Sequence, residues 1–186
     1  MNSVFQRALG TDYERLHPKL QLHYLPSSTD GVIGWGFGEV HIWRDRFSRQ
    51  AVPFSLESRA FRDGHGREVL SMTSIFHFTR PRKVEASWTY DEFTGLTLEY
   101  PRLRGVLRAT QTLSVDNRGG LRITTGSQRL CIGQWSFELP GPLRTEASVY
   151  EFYDEDDGCV RLDVDVTRPL SGDQYGYSGK YVADFR

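Results

Sequence analysis

From Gly31 to the end of the chain, apolar and polar residues alternate with a period of two, and short clusters of turn residues interrupt the alternation. That pattern restricts the fold, because side chains on a strand point alternately to opposite faces while a helix repeats near 3.6. Candidate strands are 32–43, 51–61, 67–79, 83–93, 95–100, 104–115, 120–126, 128–138, 145–154, 159–167 and 175–185. Between them stand Asp63-Gly64-His65-Gly66, Arg80-Pro81, Asp116 to Gly120, Pro140-Gly141-Pro142, Asp154 to Gly158 and Ser171-Gly172-Asp173. Many strands joined by short links, with no helix between them, predict a mainly β chain: an antiparallel up-and-down β-barrel or a strongly curled sheet. Closure removes the edge strands that otherwise invite aggregation.

The first 26 residues follow a different rhythm. Val4, Phe5, Ala8 and Leu9 recur at helical spacing, Gly10 can stop that turn, and Thr11 or Asp12 can cap a second segment through Leu16. Pro18 suits the first turn of a further short helix carrying Leu20, Leu22 and His23. We expect a single domain over 1–186, with a helical segment over 1–26 packed on a barrel over 31–186. The chain of 186 residues carries a formal net charge of −1, which disfavours a nucleic-acid partner. MNSVFQRALG lacks the basic and apolar regions of a signal peptide, and no apolar run approaches a membrane span. A cytoplasmic protein that engages no membrane is expected.

Aromatic side chains concentrate on particular faces. In GVIGWGFGEVHIWRDRF, Ile33, Trp35, Phe37, Glu39, His41 and Trp43 share one face, and Gly34, Gly36, Gly38, Val40 and Ile42 share the other. Alternate glycines suit a strand that bends sharply or one that another element approaches closely. Glu39 and His41, set among aromatics, form a candidate acid/base pair, since an apolar setting raises a carboxyl pKa and lowers that of a histidine. Trp88 and Tyr90 share a face in 83–93, as Tyr175, Tyr177, Tyr181 and Phe185 do in 175–185. In 145–154, Glu146, Ser148, Tyr150 and Phe152 alternate against Ala147, Val149 and Tyr153, so both faces carry large side chains.

Other chemistries find no motif. Gly34-x-Gly36-x-Gly38 has neither the spacing nor the following helix of a nucleotide loop. No nucleophile elbow is present, and the histidines and cysteines lack zinc spacing. Cys131 and Cys159 read as small buried hydrophobes. Neither a metal nor a cofactor is expected.

Barrels that side chains do not fill enclose ligand cavities, mostly apolar with a few orienting polar groups. The leading expectation is a barrel holding an apolar or aromatic small molecule, lined by Trp35, Trp43, Trp88, Tyr90 and Tyr177, with His23, Glu39 and His41 as polar anchors or catalytic groups. The alternatives are a cofactor-independent isomerase or cyclase for a polyketide- or terpene-like substrate, and a non-catalytic partner module. A homodimer is compatible with each.

VFQRALGTDYERLHPKLQLHY resembles the opening of a bacterial family known as a domain of unknown function. Pro169-Leu170-Ser171-Gly172 and Tyr177-Ser178-Gly179 are similar to that family's Pro-Leu-x-Gly turn and Tyr-x-Gly strand. VLSMTSIFHF departs from the Trp-x-Arg-x-Phe step before the family's central strands. The resemblance implies one β-rich domain, a bacterial source, and relatives found alone or fused behind saccharopine-dehydrogenase-like reductases. It implies interest in His23, Pro169, Gly172, Tyr177 and Gly179, but no activity.

Overall fold

The computed structural model describes residues 2–29, 31, 33–44, 49–99 and 107–185. Residues 32, 100 and 104–106, which the periodicity assigns to strands, lie outside the described residues. Alternation does produce strands: β1 (Ile33–Trp43), β2 (Arg49–Arg62), β3 (Glu68–Phe76), β4 (Arg82–Asp91), β5 (Gly95–Glu99), β6 (Leu107–Val115), β7 (Leu121–Ile132), β8 (Trp135–Glu138), β9 (Glu146–Asp154), β10 (Cys159–Arg168) and β11 (Asp173–Phe185). β10 illustrates the cause. Val160, Leu162 and Val164 are buried and Asp163 and Asp165 exposed, so one face finds the core and the other water.

Pairing is sequential and antiparallel from β1 to β7, then runs through β9, β10 and β11. β11 returns to β1, with Gly38 opposite Tyr181, and the ring of ten strands closes as a barrel. β8 stays outside this ring: β7 pairs with β9 through Leu121–Thr124 and with β8 through Arg129–Ile132. The sequence pattern predicts a break near Ser127, but β7 runs on to Ile132. Its register against β6 shifts between Ala109 and Gln111, so the Gly126-Ser127 irregularity is absorbed within the ladder and the turn falls at Gly133.

Two short helices cover one end. α1 (Val4–Leu9) starts with a reciprocal Ser3/Gln6 capping box and stops at Gly10, whose φ is 57°. A 3-10 turn over Gly10–Arg15 follows; it begins at Leu9 with no side-chain cap, not at Thr11 or Asp12 as expected. α2 (Pro18–Tyr24) has Pro18 in its first turn, and the ring of His17 accepts from the Lys19 N–H. The apolar sides of these pieces, Phe5, Leu16 and Leu20, are essentially fully buried. Phe5 packs on Tyr24, ring centroids 4.3 Å apart, and edge-on to Trp88 at 6.0 Å. Polar contacts tie the plug to the barrel rim: His17 N–H donates to the Gly119 carbonyl at 3.0 Å, and the Ser28 hydroxyl to Glu68 at 2.6 Å. Among the described residues, no helix is long and apolar enough to cross a membrane.

Candidate functional site

The face of β1 that carries its large side chains is the outer one. Ile33, Trp35, Phe37, Glu39 and His41 are exposed, while Gly34, Gly36 and Val40 are buried. The cause is space inside the ring. The Tyr181 ring lies across Gly36, so a Cβ there would come within 2.9 Å of its Cδ2. At Gly38 a Cβ would fall 1.9 Å from the Lys180 carbonyl oxygen, so the backbones of β1 and β11 approach too closely for any side chain. The glycines therefore mark a close approach, and the aromatics of β1 take the other side. Trp43, half-buried, lies on this outer face over Gly176. Trp35, Trp43, Glu39 and His41 are thus not brought together with the barrel interior, which corrects their expected place as lining and anchors.

Inside, a cavity of about 450 Å³ runs from the helical plug towards the opposite end. Its wall is mostly aliphatic and aromatic, with Phe54, Met72, Trp88, Ile123, Leu162 and Tyr177 among the contributors. Phe54, Phe76 and Tyr177 form a packed aromatic band, with Phe76 and Tyr177 edge-on at 5.1 Å and Phe54 and Phe76 at 5.4 Å. Trp88 and Tyr177, both expected to line a site, do face this cavity. Tyr90 lies closer to the plug, packed against the core with the Arg7 guanidinium 5.0 Å above its ring.

A buried polar cluster lies where α2 meets β9 and β11. Glu151 is 6% exposed on the inner face of β9. The Tyr24 hydroxyl, from the last residue of α2, donates to Glu151 Oε2 at 2.7 Å, and the Tyr181 hydroxyl donates to Oε1 at 3.4 Å. The Tyr181 oxygen is in turn 3.5 Å from His23 Nε2. Each carboxyl oxygen therefore meets one phenol, and the imidazole stands behind the second. Burial pushes the Glu151 carboxyl up to about 7, although both phenols oppose the shift by hydrogen-bonding the charged form. Burial likewise lowers His23 to about 4, which keeps its ring neutral at physiological pH. The two phenols are held well above their usual range, first by burial and then by the Glu151 charge. Such a cluster can hold or exchange one proton near neutrality in a water-poor setting.

Glu151 is the residue that sequence reasoning missed. It occupies the one charged position on the face Ala147-Val149-Glu151-Tyr153, and a carboxyl inside an apolar alternation is the signal that marks it. His23 was legible as a candidate, and Tyr181 as one of an aromatic row, but their convergence depends on closure between β11 and β1. Cys131 is half-exposed instead of buried; Cys159 is buried, and both are free thiols.

A second hollow, of about 500 Å³, lies outside the wall between β4 and β7. Arg67, Glu99 and Arg108 line it, and both arginines pair with Glu99, at 3.8 Å and 3.2 Å. Solvated pairs of this kind are common on protein surfaces. The inner cavity differs in combining apolar enclosure with a buried carboxyl whose acidity is displaced, and we place the candidate site there. Among the described residues, no group of three His, Cys, Asp or Glu side chains is arranged to hold a metal ion.

In class, then, the chain is a closed ten-stranded up-and-down barrel, plugged by short helices, with a mainly apolar cavity and a carboxyl at its capped end. The family described as Domain of unknown function (DUF4166) matches residues 16–181, and the chain belongs to it. The matched span includes α2, Glu151 and Tyr181. The chain is also similar to the uncharacterized protein YndH of Bacillus subtilis (strain 168), with 25% identity over 204 residues, all of this chain and 99% of that relative.

Proposed function

We propose that the barrel binds an apolar small molecule in its inner cavity, with the Glu151–Tyr24 pair as the polar anchor at the capped end. The observation that carries this reading is the cavity of about 450 Å³, within the range of roughly 300–1,000 Å³ typical of ligand sites. Its mainly apolar wall, interrupted by a few polar groups, matches the usual division between affinity and orientation. Trp88 and Tyr177 would contact the ligand body. Organic extraction and native mass spectrometry of the protein purified from its source are expected to yield a bound apolar compound. Ala86→Phe and Ala147→Phe, which project a ring into the cavity, are expected to abolish that adduct while leaving the fold intact. An adduct that persists in both variants would overturn the reading.

A second reading, favoured by the near-neutral acidity of Glu151, makes the same cavity the site of a cofactor-independent isomerase or cyclase. Ionised Glu151 would take a proton from a carbon next to a carbonyl. The released electron pair would move onto the carbonyl oxygen, and a phenol would stabilise that oxygen before the proton returns elsewhere. In this scheme Glu151, not Glu39 or His41, is the base. Deuterium uptake into a bound ketone in heavy water, lost in Glu151→Gln, would support catalysis. Uptake equal in the variant would exclude Glu151 as the base.

A further inference from the structure

Two hydrogen-bond donors on the cavity wall find no acceptor among the described residues. Trp88 Nε1 and Gln111 Nε2 are buried, and neither has a hydrogen-bond partner among the described residues. Both residues line the inner cavity. An indole N–H and an amide NH₂ can only donate, so what each lacks is an acceptor. Buried polar groups are nearly always paired, which makes two orphaned donors on one cavity wall a feature that needs a cause.

Their placement allows a common partner. Trp88 on β4 faces Leu98 on β5, and Leu98 faces Ala109 on β6, two residues before Gln111 on the same side of the strand. The register shift after Ala109 then sets Gln111 opposite Thr125, which also lines the cavity. Both donors therefore belong to the β4–β6 wall, across the barrel from the β11 side that bears Tyr177.

The charges of the wall restrict the acceptor. Its Arg, Lys, Asp and Glu members are Arg82, which is exposed, and Glu151. A ligand carboxylate received between Trp88 and Gln111 would have no buried cation to offset its desolvation, and it would share the cavity with the Glu151 carboxyl. A neutral carbonyl oxygen has neither problem, and its two lone-pair directions can receive two N–H groups.

We infer that the cavity receives a neutral, mainly apolar carbonyl compound (a ketone, ester, lactone or quinone) whose oxygen accepts from Trp88 Nε1–H and Gln111 Nε2–H. This deepens the binding reading above and rests on it.

The test uses nonan-2-one, nonane and nonanoate as probes on the full chain. Headspace partitioning gives the affinities of the two volatile probes, and titration calorimetry that of nonanoate. In Trp88→Phe/Gln111→Leu, the ketone is expected to bind about tenfold more weakly, the loss typical of one or two net hydrogen bonds, with nonane unchanged. Infrared spectra of carbonyl-labelled nonan-2-one should show its C=O stretch lowered from the value in hexane when bound to the wild type. That shift should disappear in the double variant. The single variants Trp88→Phe and Gln111→Leu supply the comparison if the double variant does not fold. A hexane-like stretch in the wild type, equal losses for ketone and alkane, or tighter binding of nonanoate would overturn the carbonyl assignment while leaving the cavity reading standing. Failure of both ketone and nonane to bind would overturn both.

Discussion

Neighbouring residues of β11 meet opposite surroundings. Tyr181 is 1% exposed, its ring across Gly36 and its hydroxyl on Glu151, whereas Val182 is 61% exposed and lies opposite the equally exposed Phe37. On the inner side of β1 and β11 a few large groups are fitted around glycines. On the outer side, Trp35, Phe37 and Val182 form an apolar stripe beside Glu39 and His41. Residue size therefore did not decide which face of β1 is inside; the space left by the neighbouring strand β11 did. A barrel of fixed strand number has a limited interior, and one tyrosine crossing it leaves no room for an aromatic row on the next strand.

The largest expected contrast is in stability. Tyr181→Ala should cost about 3–5 kcal/mol in urea unfolding, the range for emptying a buried aromatic site. Val182→Ala should stay within about 0.5 kcal/mol, as exposed substitutions usually do. Equal effects would mean that the two faces are not so different.

The next contrast depends on pH. Glu151, pushed up to about 7, keeps its proton longer in the folded than in the unfolded chain. Its contribution to stability is therefore full below about 4.5 and is lost as pH rises through 7. His23, lowered to about 4, does the reverse: its contribution is present above about 6.5 and is lost as pH falls through 4. Each amounts to roughly 3 kcal/mol, and between about pH 4.5 and 6.5 the two slopes oppose each other. Glu151→Gln should unmask stability that rises with pH across this window, and His23→Gln stability that falls. Parallel curves for both variants and the wild type, measured by urea unfolding at each pH, would remove the buried pair from the account.

Gly36→Ala should follow, costing about 1–3 kcal/mol through crowding against Tyr181. In the Tyr181→Phe background the cost should persist, because the ring and not the hydroxyl is the obstacle; full relief there would contradict the close approach.

How much of this was legible follows from the same two faces. Period-two alternation is a local property, so the strands and the up-and-down path could be read from the chain. Trp88 and Tyr177 could also be placed, because their strands alternate cleanly. The inward face of β1 could not, since glycines facing a distant tyrosine look the same locally as glycines facing water. Glu151 carried a signal in its odd polarity among Ala147, Val149 and Tyr153. Its partners Tyr24 and Tyr181, 127 and 30 residues away in sequence, meet it only after the plug docks and the ring closes. Gln111 shares a face with Ala109 by alternation, but its place opposite Thr125 depends on the register shift in the β6–β7 ladder, which no alternation pattern encodes.

The smallest expected effect is on the outer stripe. Trp35→Ser with Phe37→Ser should leave stability and probe binding nearly unchanged, while any self-association seen by sedimentation should diminish. Loss of probe binding in that variant would move the site from the inner cavity to the outer stripe.

A crystal structure with a bromine-labelled long-chain ketone decides between these faces in a single observation. The account predicts anomalous bromine density inside the barrel, with the ketone oxygen between Trp88 and Gln111. Density over Trp35 and Phe37, with the interior empty, would contradict it.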